Sequence, residues 1–438
     1  MRDYVLTALI FGSLPICLVR PWLGFVVWYW FGLMCPHRMT WNFAYSMPFA
    51  AFIGGTTLVG MFFAKDRKPI PWNRELVLIV ALLAYFTFTT LFAWAPQTAW
   101  PQLEKLFKII LMTVLSTMFI YGRNRITVIM FTIALSLGFY GVKGAIHVVT
   151  SGGAGQVKGP EGSFLDGNTF VGVAMIMVLP LILHLARDDQ RPWVKRSLYA
   201  MFAMTIVAII FTTSRGAYLG LAAVLPLMFL GAKRRWIAIL AIASALMGAQ
   251  FLPEHIFRRA ELIENYQQDG SANQRLQAWT VAWNIAKEYP LTGAGFEFEY
   301  APDNERWLSY GDRGYDWAIN HSSAAHSIYF QVLGQHGFVA LGLFLALLIG
   351  TVLKLGRIAR TARKREGMTW LASYATAVQI ALVGYMVSGA FLSLAYFDLA
   401  FLYYALAAVF ARELKGDEEA LAAAAASTQV SLLPQRSP

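Results

Sequence analysis

The chain has 438 residues, of which 57% are hydrophobic and only 14% are charged. Soluble globular domains contain about 25% charged residues, so this composition excludes a soluble globule and indicates a polytopic membrane protein. A net charge of +11 would suggest nucleic-acid binding in a soluble domain, but basic loops beside a bilayer face anionic lipids. We therefore expect membrane lipids as partners and no nucleic acid.

Apolar runs long enough to cross a bilayer recur along nearly the whole chain. About 20 apolar residues span a hydrocarbon core of about 30 Å. The first two runs are short and are broken by Arg20-Pro21, so they form either a hairpin or one irregular crossing. We predict an all-α membrane protein with 12 or 13 transmembrane helices. The predicted spans are 4–19, 21–36, 43–64, 75–94, 105–122, 126–149, 168–186, 197–213, 216–232, 236–252, 327–353, 370–392 and 395–411.

One long hydrophilic segment, residues 253–325, interrupts this series. It contains six Lys and Arg against eleven Asp and Glu within a cationic protein. The short loops form two alternating sets, one with 19 Lys and Arg and the other with two, and cytoplasmic loops hold the excess of these residues. The 253–325 loop is therefore predicted on the outer side and the C-terminus inside.

The chain is predicted to form one membrane domain, residues 1–411, with a disordered cytosolic tail at 412–438, because that tail becomes rich in Ala, Ser and Pro. Helical patterning at 258–268 and 271–288 predicts that the outer loop is partly helical. The two cysteines lie in or beside apolar segments and suggest neither a disulfide nor a metal site.

Two arginines on the outer side are candidates for binding an anion. Arg215 joins two spans against the topological trend, and a cation at that depth is a functional candidate, with snorkelling to lipid phosphates as the alternative. Its neighbour Ser214 is a candidate substrate-binding residue. Arg275 precedes Trp279 by one helix turn; it either binds an anion or is a solvated residue paired with Glu261 or Glu264. Trp279 suits both the membrane interface and stacking on a sugar ring.

His326 begins the span after the long loop. Imidazole titrates nearest neutral pH, so a histidine at this lip of the membrane is a general-base candidate, although a lone interfacial histidine is usually structural. His321 and His336 are its rivals.

Several lysines are predicted at the outer mouth of the bundle. With Arg215 they would make that mouth cationic and suited to a lipid diphosphate, because phosphates recruit Arg forks and Lys point charges. The alternative is that each lysine snorkels independently. Lys108, Lys143 and Lys158 are the predicted substrate-binding lysines, and Lys105 lies beside them.

The sequence has no Asp-x-Asp motif on the outer side, no His-Glu-x-x-His helix and no glycine-rich phosphate loop with its Lys. We therefore expect no metal and no other cofactor.

The order of several short motifs resembles the O-antigen ligase and O-antigen polymerase superfamily. The motifs are Ser-Arg-Gly at 214–216, Arg-Leu-x-x-Trp at 275–279, Tyr-Pro-Leu-x-Gly-x-Gly-Phe at 289–296, Ala-His-Ser at 325–327 and Gly-x-x-Gly-Phe at 334–338. The N-terminal stretches Trp28-Tyr29-Trp30 and 36–41 further resemble the O-glycosylation ligases associated with exosortase A.

The resemblance implies an inverting glycosyltransferase of the bacterial inner membrane. Such an enzyme would transfer a glycan from undecaprenyl diphosphate to an acceptor hydroxyl, with loop 253–325 in the periplasm and the C-terminus in the cytosol. His326 would take the hydroxyl proton, and Arg215 and Arg275 would stabilise the leaving diphosphate without a metal. The acceptor could be a glycolipid, a glycan or a protein.

Two other functions stay open from the sequence. A polysaccharide polymerase shares the donor and the cations and differs in the acceptor. A glycan flippase or transporter would also have 12 or more spans, although transporters usually contain internal repeats with broken helices, and we detect no repeat.

Overall fold

The computed structural model of the chain describes residues 1–229, 270–301, 304–311 and 322–431. This part contains 14 α-helices and no strand. Short 3-10 turns lie at Pro36–Met39, Phe43–Tyr45 and Phe298–Tyr300. The helices are α1 (Arg2–Val19), α2 (Pro21–Met34), α3 (Phe49–Phe63), α4 (Arg74–Thr90), α5 (Pro96–Ser116), α6 (Gly122–Thr150), α7 (Asn168–Asp188), α8 (Pro192–Ile210), α9 (Arg215–Phe229), α10 (Gly270–Glu288), α11 (Asn304–Leu308), α12 (Ile328–Arg363), α13 (Thr369–Gly389) and α14 (Asp398–Ser431).

The predicted all-α membrane fold is confirmed. Each predicted span within the described residues falls on a helix, and Arg20 alone separates α1 from α2. By length and composition α1, α6, α7, α8, α12 and α13 can cross a membrane, and α2, α3 and α9 are shorter apolar helices. The predicted span 236–252 lies outside the described residues, so the total of 12 or 13 stays a prediction.

Helix α7 forms the centre of the bundle. Its residues from Val171 to Ala186 are all buried, because α6, α8, α9 and α13 pack around it. A helix that is apolar on every face buries that surface only when other helices pack on every side of it. The other helices are arranged around this one and carry the connections at either end.

The connections of the bundle gather at two opposite ends. At one end, which we call the tail face, Arg412 of α14 donates hydrogen bonds to the carbonyls of Thr117 and Ile120 at 2.9 and 2.8 Å. Arg365 forms an ion pair with Asp417 at 3.4 Å at the same end. The other end, the loop face, carries the segment after α10 and the connections before α7 and before α14. The loop at 354–366, the residues after α5 and the beginning of the predicted tail therefore meet at the tail face.

The last helix, α14, extends beyond residue 412, where the tail is predicted to begin, and continues to Ser431. The division into a membrane domain at 1–411 and a cytosolic tail at 412–438 stays a prediction. Alanine has the highest helix propensity, and Glu413 accepts a hydrogen bond from the backbone N–H of Gly122 at 3.1 Å. The first turns of α14 after residue 412 therefore contact the bundle, and residues 432–438 lie outside the described part.

Candidate active site

A cavity of about 320 Å³ opens between the elements of the loop face. Its wall comes from α5, the connection before α7, the segment after α10, the start of α12 and the connection from α13 to α14. Five parts of the chain that are far apart in sequence thus share one cavity. The polar side chains in its wall include Gln102, Lys105, Asp166, Glu297, Glu299 and His326.

His326 lies in this wall, two residues before α12 begins. Its backbone φ is +45°, which is left-handed, and its N–H donates a hydrogen bond of 2.7 Å to Ser393 Oγ. Burial lowers the pKa of His326, and the positive charge of Arg275 lowers that pKa further. The lowered pKa favours the neutral imidazole, which is the form that accepts a proton.

Helix α10 brings Arg275 and Trp279 to the His326 segment. Residues four apart lie on one face of a helix. Trp279 Nε1–H donates to the carbonyl of Ala325 at 2.7 Å, and its ring stacks on Phe330 with centroids 5.0 Å apart. Trp279 therefore holds the backbone next to His326, and one face of its ring is covered by Phe330.

Two glycine motifs of the sequence dock onto each other behind this site. Helix α12 is interrupted at Gly337, whose φ is +77°. The turn after α10 fills the break: Phe338 N–H donates to the carbonyl of Pro290 at 2.9 Å, and Ala294 N–H donates to the carbonyl of Gly334 at 3.0 Å. A Cβ on Gly337 would lie 2.3 Å from the Pro290 oxygen. This close contact requires glycine and directs the chain onward to the cavity.

The residues that follow this turn supply two carboxylates to the cavity wall. Glu299 is 5% exposed, and burial raises its pKa to about 7. Burial also raises the pKa of Glu297, while nearby Lys105 lowers it. With these two side chains, the cavity wall contains more acidic than basic groups.

Arg215 begins α9 at the same face. The turn before it is held by Gln156, whose Nε2 donates to Thr213 Oγ1 at 2.6 Å. Ser214 is buried, and its Oγ accepts from the backbone N–H of Ala217 at 3.4 Å, so it caps α9. A Cβ on Gly216 would lie 3.3 Å from the carbonyl oxygen of Ser388. The start of α9 thus packs beside the connection from α13 that also carries Ser393, the hydrogen-bond partner of His326.

The lysines predicted at the outer mouth do not all lie in the cavity wall. Lys105 lines the cavity. Lys108 lies one turn further along α5, is exposed and pairs with Glu104 at 2.5 Å. Lys143 on α6 and Lys158 in the connection before α7 are exposed, and neither lines the cavity. Of the five cations expected at the outer mouth, Lys105 is therefore the one in the cavity wall.

The rival histidines are separated by their positions. His336 is fully buried; its Nδ1 lies 2.6 Å from Thr89 Oγ1, and its ring packs between Phe86 and Phe296. It belongs to the core behind the glycine turn. His321, like Glu261 and Glu264, lies outside the described residues.

Sequence reasoning did not identify the acidic side of the cavity. Glu297 and Glu299 directly follow the Gly-x-Gly-Phe turn, which was a usable signal once that turn was assigned to the site. Asp166, Ser393 and Asp398 come from distant connections, and no motif marks them.

Comparison with known protein families matches two separate segments of the chain. A family model described as O-antigen ligase matches residues 200–345, the segment that contains Arg215, Arg275 and His326. A family of unknown function matches residues 1–190. No curated protein matches the chain. The resemblance to the O-antigen ligase superfamily is confirmed, whereas the likeness to the exosortase-associated subgroup stays a prediction.

Proposed function

We propose that the chain is a membrane O-glycan ligase, because residues 200–345 match the O-antigen ligase family model and the fold is that of a membrane protein. Its donor is a glycan linked to undecaprenyl diphosphate, and its acceptor is a hydroxyl on the periplasmic side. The observation that carries the proposal is the position of His326 in the cavity wall, close enough to the Arg275 guanidinium for that charge to lower its pKa.

The reaction is a single displacement at the anomeric carbon. The acceptor oxygen forms the new bond to that carbon as its proton moves to His326, and the bond from the carbon to the diphosphate oxygen breaks. The diphosphate leaves with the bonding electrons, so the configuration inverts. A positioned base of this kind contributes about 10² to 10⁴-fold to the rate.

Arg215 and Arg275 stabilise the charge that gathers on the leaving diphosphate. A guanidinium donates two parallel hydrogen bonds to phosphate oxygens and stays charged at any physiological pH. Fixed donors in a partly dehydrated site act most strongly where the charge develops. These two side chains supply that charge, and the proposed mechanism needs no metal.

The proposed orientation has the loop face in the periplasm and the tail face in the cytosol. It is supported by the 19 to two division of Lys and Arg between the loop sets. A reporter inserted within residues 312–320 should read periplasmic, and one fused after residue 431 should read cytosolic. Two reporters on one side would contradict this orientation.

The function is tested by reconstitution. Purified protein with an undecaprenyl-diphosphate glycan and a panel of lipid, protein and glycan acceptors should yield glycosylated product and free lipid diphosphate in EDTA without nucleotide. Transfer only to the growing donor glycan would identify a polymerase instead. Strict dependence on a divalent metal or ATP, or movement of the donor without cleavage, would contradict the proposal.

A further inference from the structure

Some polar side chains in the cavity wall have no role in the proposed displacement. Gln102 and Lys105 of α5 and Glu297 after α10 all line the cavity. In the described part of the chain, none of these three side chains has a hydrogen-bond partner. Gln102 and Glu297 are partly buried and Lys105 is exposed. Partly buried polar groups are normally satisfied by protein, water or a ligand, so Gln102 and Glu297 are available to a ligand that enters the cavity, with the Lys105 ammonium beside them.

Other polar groups of the wall already serve the fold. Gln331 Oε1 accepts from the backbone N–H of Ala395 at 3.0 Å, and Asp166 Oδ2 accepts from the N–H of Gly162 at 2.9 Å. The available groups are thus concentrated on the side formed by α5 and the segment after α10.

The wall combines these groups with aromatic rings. Phe164, Tyr300, Tyr396 and Phe397 line the same cavity. Carboxylate and amide oxygens accept hydrogen bonds from hydroxyls, and aromatic rings cover the apolar faces of a ligand. The volume of about 320 Å³ lies at the small end of ligand sites. This composition and size suit a single polyhydroxylated ring.

The charge of the wall restricts which ring can bind. Asp166, Glu297, Glu299 and Asp398 line the cavity together with one lysine, Lys105. Glu299, whose pKa is about 7, is only partly ionised at neutral pH. An anion that enters would still meet the other carboxylates with one lysine to balance them, and like charges in a partly dehydrated site repel. A diphosphate is therefore disfavoured in this cavity, and so is a ring that carries a carboxylate.

We propose that this cavity is the acceptor subsite of the ligase, that it binds a neutral hexopyranose ring with one hydroxyl at His326, and that its carboxylates reject uronic acids. The proposal rests on the proposed function for the identity of the reaction. The acceptor ring is favoured over a donor ring because the base must contact the attacking hydroxyl, and His326 lies in this wall.

Two methyl glycosides that differ at one carbon provide the test. Methyl β-glucopyranoside carries a CH₂OH group where methyl β-glucuronide carries a carboxylate. In the transfer assay with full-length protein, the glucoside should inhibit at a concentration at least about tenfold lower than the glucuronide. Its inhibition should be competitive with the acceptor and not with the lipid donor.

Variants connect this selectivity to the wall. Glu297→Gln removes one charge while it keeps the side-chain shape, so it should narrow the ratio between the two inhibitors. Glu161→Gln is the matched control, because Glu161 lies exposed in the connection before α7 and does not line the cavity. A merely structural role of Glu297 would lower activity without changing the ratio.

The outcomes separate the two proposals. Any of four results overturns the acceptor subsite and leaves the ligase proposal intact. They are no inhibition by either glycoside, inhibition by both at equal concentration, competition with the lipid donor, and an unchanged inhibitor ratio in Glu297→Gln. Absence of transfer to every acceptor overturns the ligase proposal. In that case the cavity is tested by melting temperature: a larger rise with glucoside than with glucuronide supports the ring site, and equal or absent shifts refute it.

Discussion

Glu299→Gln should stabilise the protein above neutral pH and have little effect in acid. The Glu299 carboxyl is 5% exposed, and the one side chain that donates to it, Gln335 through Nε2, lies 3.4 Å from both carboxylate oxygens in the described part of the chain. Burial with such weak hydrogen bonding raises its pKa from 4.5 to about 7. Since one pKa unit is about 1.4 kcal/mol, ionised Glu299 costs the folded state about 3 kcal/mol.

The sign of the pH dependence follows from which state holds the proton more tightly. Folded Glu299 binds its proton more tightly than unfolded Glu299, so its contribution to stability is complete below pH 4.5, falls through the range up to pH 7 and is lost above it. Glutamine has the shape of the protonated form and does not titrate. The variant should therefore melt on the order of a few °C above wild type at about pH 8 and close to wild type at about pH 4.

Thermal melting in one detergent, followed by tryptophan fluorescence at both pH values, measures this difference. Glu161→Gln, in an exposed position, should show no such gap at either pH. A gap between Glu299→Gln and wild type that is equal at both pH values would refute the reasoning, because it would mean that Glu299 ionises with the same pKa in the folded and unfolded states.

Three further predictions concern the site and its support. Gly337→Ala should destabilise the protein by about 3 kcal/mol or more, because the φ of Gly337 is +77° and an added Cβ would meet the Pro290 oxygen at 2.3 Å. The control Gly342→Ala lies in the same helix with nothing within 4 Å of its Cβ and should not destabilise. Equal melting temperatures of the two variants would contradict the docking of the glycine turn. Trp279→Phe keeps the stack on Phe330 but loses the hydrogen bond to Ala325, so turnover should fall with little change in melting temperature. The control Trp283→Phe, at an exposed position, should keep normal turnover. Normal turnover in Trp279→Phe would contradict a positioning role for Trp279. Arg215→Lys and Arg275→Lys should each lower turnover and donor affinity, since an ammonium cannot form the bidentate fork. Donor binding and rate are measured with Arg306→Lys as the control. Unchanged donor affinity and rate in both variants would show that positive charge alone suffices.

The helices were predictable because a bilayer permits few solutions. Every backbone group in hydrocarbon must be satisfied within the segment, so apolar runs of sufficient length become helices. The predicted and observed bounds of the span at 168–186 and of α7, Asn168–Asp188, differ by two residues at the end. The length of the last helix was not predictable, because alanine-rich composition is compatible with disorder and with a helix, and a contact such as that of Glu413 with Gly122 appears only in the fold.

The site was predictable only in its parts. Arg275 and His326 were chosen for their chemistry, and the electrostatic effect of Arg275 on the His326 pKa appears only once α10 lies against the start of α12. The glycine motifs were visible in the sequence, but their mutual docking at Gly337 depends on a break inside a long apolar run that hydropathy cannot reveal. The carboxylates of the cavity come from connections far apart in the chain, and charge counts over whole loops do not report which side chains share a wall.

The most direct test of the account is the single-turnover rate of glycan transfer in His326→Asn at saturating lipid donor. Asparagine tolerates the left-handed backbone at φ +45° better than alanine does, so this variant removes the base with little added strain. The account predicts a rate about 10² to 10⁴-fold below wild type, while His321→Ala stays near wild type. A near-normal rate in His326→Asn together with a large loss in His321→Ala would contradict it and assign the base to the loop histidine.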